Sequence, residues 1–408
     1  MSPLDVKHFI DISLSLITLS HYRHPIISQN FCRQPIAHCI CSKGRWCLIF
    51  SSLWHFSWHW VDKRRDTITV GHSSLHPRPC ASCSPRPQSL SSVTMSEENR
   101  PTIRTRVPLA VAAEVETLRK AMKGMGTDEA AIIRVLTRCS CNQRQVIAEQ
   151  YHKTHDRDLL KDLKKELSGE FEKVVLALMT RSSDFLAKEL EHAVELKNGE
   201  AIVQILFTCE TPEVRAIKTA FRNYDDDTLV QELKDELKKG VFLDVVVATV
   251  TGHRGEGFCE EVSKNVAKAI FQGEHGVNKE EVVKAFSSLS FKQLKGVFVE
   301  YYKLAERTLG EAFDLVYKGE EKTNMHALFQ CLNNRHGYLA SALRKALAGP
   351  GTKDRDLIRL IVSRAEVDLL NIKEEYFKMY SKTLESDIKG DTSGDYKKML
   401  LALLEPNY

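Results

Sequence analysis

The stretch MKGMGTDE, residues 122–129, places Gly124 and Gly126 one residue apart and follows them with Thr127, Asp128 and Glu129. Forty residues after Gly126 stands Glu166, just before a Ser-Gly pair. Three chemistries use a glycine turn at the door of a helix: a phosphate loop, a metal loop and a plain helix start. A phosphate loop needs a lysine and free N–H groups for its anion, whereas Asp128 and Glu129 repel one. A helix–loop–helix calcium hand is excluded because the chain holds no D-x-[DN]-x-[DN]-G run ending in Glu. A plain start, with Thr127 as N-cap and the two acids in the first turn, accounts for Thr-Asp-Glu. It leaves the glycine pair and the distant acid unexplained. Calcium fits both, since it takes oxygens from backbone carbonyls as well as carboxylates. Glycine tolerates positive φ, so alternate residues of a tight turn can aim carbonyls at one point. Met122, Gly124 and Gly126 supply three carbonyls in this reading and Glu166 a bidentate carboxylate, about five of the 6–8 oxygens calcium takes. One carboxylate leaves the ion net positive, so an anion such as a lipid phosphate or carboxylate completes it. Calcium and lipid then strengthen each other's binding.

The loop recurs. Residues 122–179 align without a gap on residues 347–404: Gly124, Gly126 and Thr127 meet Gly349, Gly351 and Thr352, Tyr151 meets Tyr376, and Ser168-Gly169 meets Ser393-Gly394. Each pair is 225 residues apart, three times 75, which predicts four units. Gly351 to Asp391 is again 40 residues. Two altered units lie between, and the link GHRGEGF (252–258) divides the four into two pairs. The second unit reads VELKNGEAI, short by a residue, with Glu236 near the acid position and Leu237 aligned on it. The third reads QGEHGVNKEE, with Gly273, Gly276 and a capping Asn278, and its nearest acid, Glu320, is 44 residues from Gly276.

Segments such as DEAAIIRVLTRC, RQVIAEQYHK and FEKVVLALM carry apolar residues at helical spacing. Each unit is expected to hold four or five short helices, and a single unit cannot bury its apolar faces alone. No nucleophile–base pair carries a catalytic signature. His152 and His155 lack a catalytic Glu between them and read as a solvated helix face, as do the runs KDLKKEL and KDELKK.

On these residues the body resembles the annexins, whose calcium loops read M-K-G-x-G-T with an acid some forty residues on. The resemblance spans residues 107–408 and implies an all-α fold: four repeats of about five helices each in a slightly curved disc. It implies calcium loops on the convex face, with that face docking on acidic, phosphatidylserine-like phospholipid. It carries the ligand role to Met122, Gly124, Gly126 and Glu166, and to Leu347, Gly349, Gly351 and Asp391. Leu347 and Ala348 replace the family's Met and Lys, but only carbonyls matter at the ligand position. The expected boundaries are 109–180, 181–251, 263–334 and 336–408, with degenerate calcium loops in the second and third repeats and a short tail at 95–108. The reading is of a non-enzymatic, cytoplasmic protein, peripheral to membranes when calcium rises. It self-associates there or meets cytoskeletal or other proteins. The competing reading is a calcium-independent helical scaffold for protein partners.

Residues 1–94 differ from the body. They hold all four Trp, six of eleven Cys and a charge of +6, against −2 for the rest. The body therefore has no nucleic-acid footprint. The apolar run WCLIFSSLWHFSWHWV is short for a membrane span. Cys39, Cys41, Cys80 and Cys83 lack the regular spacing of a zinc site. The segment reads as an unstructured extension, or as residues preceding a translation start at Met95. The five scattered cysteines of the body fit a reducing compartment.

Overall fold

The computed structural model describes four short strands within the first 97 residues, and then residues 98–407 apart from 125, 222–227, 274–275 and 350. The strands β1 (His38–Cys41), β2 (Arg45–Leu48), β3 (Trp58–Trp60) and β4 (Thr69–Gly71) form an antiparallel sheet in chain order. The expected unstructured extension otherwise falls on residues outside the described ones, as do Cys80 and Cys83.

The body is all-α, with twenty described helices, five to each repeat unit. The first unit holds α1 (Val111–Ala121), α2 (Glu129–Leu136), α3 (Cys141–His155), α4 (Leu159–Glu166) and α5 (Gly169–Met179). The second holds α6 (Ser182–Glu195), α7 (Gly199–Leu206), α8 (Thr211–Ala220), α9 (Thr228–Glu236) and α10 (Val241–Thr251). The third holds α11 (Glu260–Ile270), α12 (Lys279–Ser288), α13 (Phe291–Ala305), α14 (Leu309–Val316) and α15 (Gly319–Asn333). The fourth holds α16 (Arg335–Leu347), α17 (Asp354–Arg364), α18 (Leu369–Tyr380), α19 (Leu384–Asp391) and α20 (Gly394–Leu404).

Local chemistry sets the helix ends. Helices α3, α13 and α18 each stop at a left-handed residue: Asp156, Glu306 and Ser381. The next helix then starts on a side-chain cap from Asp158, Thr308 or Thr383. The third helix of these units also buries a tyrosine: Tyr151, Tyr301 or Tyr376. Tyr151 donates to Asp162 at 2.8 Å, and Tyr376 donates to the matching Asp387. Burying such side chains contributes about 1.5–3 kcal/mol each, and α3, α13 and α18 make their main contacts within their own units.

The packing partners differ from the pairs that the GHRGEGF link marks in the sequence. Helix α5 packs on α17 and α20, and α2 on α20, so the first unit joins the fourth. Helix α10 packs on α12 and α15, and α7 on α15, so the second joins the third.

The tail before α1 is a bonded strap rather than a loose polar end. Thr102 and Ile103 donate their N–H groups to the Ala365 carbonyl at 2.8 and 2.9 Å, and Leu370 N–H donates to the Arg100 carbonyl at 3.0 Å. Arg106 N–H then donates to Gln143 of α3 at 3.0 Å, tying the fourth unit to the first. One part-buried and one buried ion cluster reinforce the body. Arg144 pairs with Glu366 at 2.7 Å, and Asp368 accepts from Arg364 at 2.8 and 2.7 Å while contacting His336 at 3.1 Å. Among the described residues no helix is long and apolar enough to cross a membrane.

Candidate metal centre

The loops between the first and second helices of each unit close with one shared hydrogen bond. The N–H of the residue entering the second helix donates to a carbonyl in the last turn of the first. The pairs are Asp128 to Ala121 (2.9 Å), Asn198 to Ala193 (2.8 Å), Asn278 to Ile270 (2.8 Å) and Lys353 to Ala346 (2.9 Å). Subtracting residue numbers gives spans of 7, 5, 8 and 7. The first and fourth loops are therefore the same object. The second is two residues shorter, where the sequence alignment left it one short, and the third is one longer.

This geometry moves the helix cap by one residue. Asp128, not Thr127, is the N-cap of α2, and its side chain accepts from Ala131 N–H at 2.9 Å. Glu129 stays in the first turn. In the fourth loop Lys353 takes the cap position without a side-chain bond, and Asp354 and Asp356 supply the acid.

The glycines adopt the backbone the sequence argument required. Gly124 and Gly126 have φ of 116° and 89°, and Gly349 and Gly351 have 110° and 87°. The two loops thus repeat each other to within a few degrees, in a region that side chains on an L-residue disfavour. Met122 and Leu347 bury their side chains, at 5% and 3% exposure, so only their backbones face the loop. That is why a leucine can stand in for a methionine there.

Glu166 ends α4 and Asp391 ends α19, and both are exposed. Neither carboxylate makes an ion pair among the described residues. Asp391 is tied to the fourth glycine loop through its backbone, since Thr352 Oγ1 donates to the Asp391 carbonyl at 3.0 Å. That bond brings together two segments 39 residues apart, and the sequence reading did not anticipate it. Glu166 also lines a cleft of about 390 Å³ with Glu129, Glu170 and Asp395. Lys173 and Lys398 pair with Glu170 and Asp395 at its edge, at 2.6 and 2.9 Å.

The two altered units differ at the acid. Leu237 closes α9 as Leu167 closes α4, buried and donating its N–H four residues back. The residue matching Glu166 is therefore Glu236, not Leu237. An extra residue between Leu237 and Gly240 had shifted the alignment. Glu236 is paired with Lys197 at 3.5 Å, and Lys197 itself takes the positive φ of the shortened loop. In the third unit Val316 holds the acid position, followed by buried Tyr317. Glu320 lies past that point, in the first turn of α15, and pairs with Lys238 at 2.7 Å. His152 is exposed and His155 lies 3.3 Å from Glu116, so neither belongs to a metal cluster. No group of three or more His, Cys, Asp or Glu among the described residues is arranged to hold a metal by side chains alone.

Comparison with known proteins now adds to this geometry. The annexin family model matches residues 113–178 and 338–403, the first and fourth units. Human annexin A5 is 38% identical over 298 residues, covering 71% of this chain and 93% of its own. The chain belongs to the annexin family. Annexin A11 of Oryctolagus cuniculus is 36% identical over 316 residues, covering 76% of this chain. The chain spans 63% of the length of that annexin A11. Among solved annexins, calcium-bound annexin (Sm)1 superposes with a TM-score of 0.69 at 28% identity, over 75% of this chain and 93% of its own. The annexin match by family model falls on the two units whose loops carry the paired glycines and the unpaired acid.

Proposed function

We propose that this annexin binds acidic phospholipid membranes in a calcium-dependent manner, through the loops of its first and fourth repeats, and that it is not an enzyme. In each repeat a positive-φ glycine turn and an unpaired carboxylate at the end of the fourth helix stand forty residues apart in sequence. That recurrence is the observation that carries the reading, and membership of the annexin family supports it. Calcium, when bound, supplies the positive charge that bridges protein to anionic lipid. The Met122, Gly124 and Gly126 carbonyls with Glu166 hold it in the first repeat. Leu347, Gly349, Gly351 and Asp391 hold it in the fourth.

Hard carbonyl and carboxylate oxygens suit calcium over softer metals. A headgroup phosphate or carboxylate fills the positions the protein leaves open, so lipid raises calcium affinity and calcium raises lipid affinity by the same factor. The repeats extend over 109–180, 181–251, 263–334 and 336–408, and the protein is cytoplasmic until calcium draws it to a bilayer. The test is co-sedimentation of the full chain with phosphatidylserine vesicles and with phosphatidylcholine vesicles, each with calcium and with chelator. Pelleting only with phosphatidylserine and calcium is expected. Pelleting indifferent to calcium, or none, refutes this reading and favours a protein-binding scaffold.

A further inference from the structure

The second and third repeats close off a different site at the same helix ends. The residue before the glycine at the start of each unit's fifth helix is Ser168, Lys239, Lys318 and Ser393 in chain order. Where the calcium-loop repeats carry serine, the other two carry lysine. Lys239 and Lys318 are exposed, make no ion pair among the described residues, and line one cavity of about 690 Å³ between α10, α12 and α15. That volume is ample for a small polar ligand. The N-termini of α10 and α15, helices of 11 and 15 residues, open onto it. Helix N-termini favour negative charge.

The cavity's other contacts leave two of its lysines without a partner among the described residues. Lys238 and Glu320 neutralise each other at 2.7 Å, and Glu321 accepts the Phe242 N–H at 2.9 Å. The lining balances at four lysines and four acids, but Lys239 and Lys318 alone among its lysines have neither an ion pair nor a ring contact, and Lys318 is the N-cap of α15, where no side chain caps the helix. Lys279 lies over the Tyr317 ring, 5.9 Å from its centre. The Tyr317 hydroxyl is buried without a hydrogen-bond partner in the wall of the same cavity. The acid of the calcium-loop pattern is altered in both of these repeats, since Val316 holds its position in the third and Glu236 pairs with Lys197 in the second.

We propose that this cavity binds a phosphate group directly, without calcium, with Lys239 and Lys318 as its principal contacts. The phosphate is a lipid headgroup or a free phosphate ester, and the chemistry of capture is the same. The inference stands apart from the calcium sites, so the two can fail separately.

The test uses the full chain in chelator, comparing wild type with K239S/K318S, which restores the serines of the other repeats at two exposed positions. One arm measures pelleting with phosphatidylcholine vesicles containing phosphatidic acid, and the other titrates inorganic phosphate by calorimetry. Wild type is expected to bind in at least one arm, with a drop of about 30-fold in the double variant, as two lysines near an anionic surface contribute. Loss in the vesicle arm alone identifies a headgroup. Loss in the phosphate arm identifies a soluble ester or a site that both enter. Equal binding by both proteins, or no binding by wild type in either arm, overturns the proposal. Calcium-dependent pelleting with phosphatidylserine, measured on the same two proteins, reports on the first and fourth repeats separately.

Discussion

Replacing Gly126 and Gly351 with alanine separates the loop's conformation from its composition. An added Cβ meets nothing within 4 Å at either position, so no clash enters. The cost is conformational alone, since φ is 89° and 87°. Holding an L-residue in the left-handed region costs about 1–2 kcal/mol. The loops are exposed and lie between well-packed helices, so the chain can release that strain by turning the loop peptide. The turned peptide no longer aims its carbonyl inward. The strain therefore appears as lost calcium affinity, about 5- to 30-fold at each site, rather than as lost global stability. The assay is the calcium midpoint for pelleting with phosphatidylserine vesicles, alongside thermal unfolding in chelator. Gly390→Ala in the last turn of α19 is the control. Its Cβ also meets nothing and its backbone is helical, so it should gain about 0.5–1 kcal/mol of stability and leave the midpoint alone. An unchanged midpoint in G126A/G351A, or a melting temperature that falls with it, refutes the reasoning.

Asp368→Asn leaves Arg364, only 4% exposed, without its carboxylate, and should cost about 3–5 kcal/mol in denaturant unfolding. Burial alone would raise the Asp368 carboxyl, but hydrogen bonds and charge from His336 and Arg364 outweigh it and hold the carboxyl well below the usual range. A depressed folded value contributes stability above the unfolded value, about pH 3.9. That contribution is lost as pH falls below it, so wild type should destabilise more steeply than D368N on acidification below about pH 4. Burial pushes the Cys139 thiol up to about 11 and the Cys209 and Cys331 thiols to about 12. Among the five body cysteines, exposed Cys259 should therefore alkylate first at neutral pH by mass spectrometry, and labelling of Cys209 or Cys331 at a similar rate contradicts the packing.

Much of this was legible in the sequence because the repeat is long and two of its copies are intact. The 225-residue offset aligned both glycine loops and both acids, and helical spacing pointed to four or five helices in each unit, where there are five. The errors were local or long-range. Thr127 and Asp128 are both good caps, and the loop-closing bond from Asp128 to Ala121 decides between them. One extra residue before Gly240 hid Glu236 behind Leu237, although a buried leucine closing the fourth helix was a signal that spacing alone overlooked. The pairing of first with fourth repeat and second with third has no local trace, because it is set by which apolar faces meet. The strap at Arg100–Arg106 reads as polar because its hold is mainly backbone bonding. The lysines that replace Ser168 and Ser393 in the middle repeats were visible in the sequence. Their common cavity was not.

The central claim is that two carboxylates at helix ends complete two calcium loops. The measurement is the calcium dependence of pelleting with phosphatidylserine vesicles for the full chain and for Glu166→Gln, Asp391→Asn together. Both side chains are exposed and unpaired, so the double variant should fold as wild type does. Loss of calcium-dependent pelleting with an unchanged melting temperature in chelator is the predicted result. A double variant that pellets at the wild-type calcium midpoint contradicts the account.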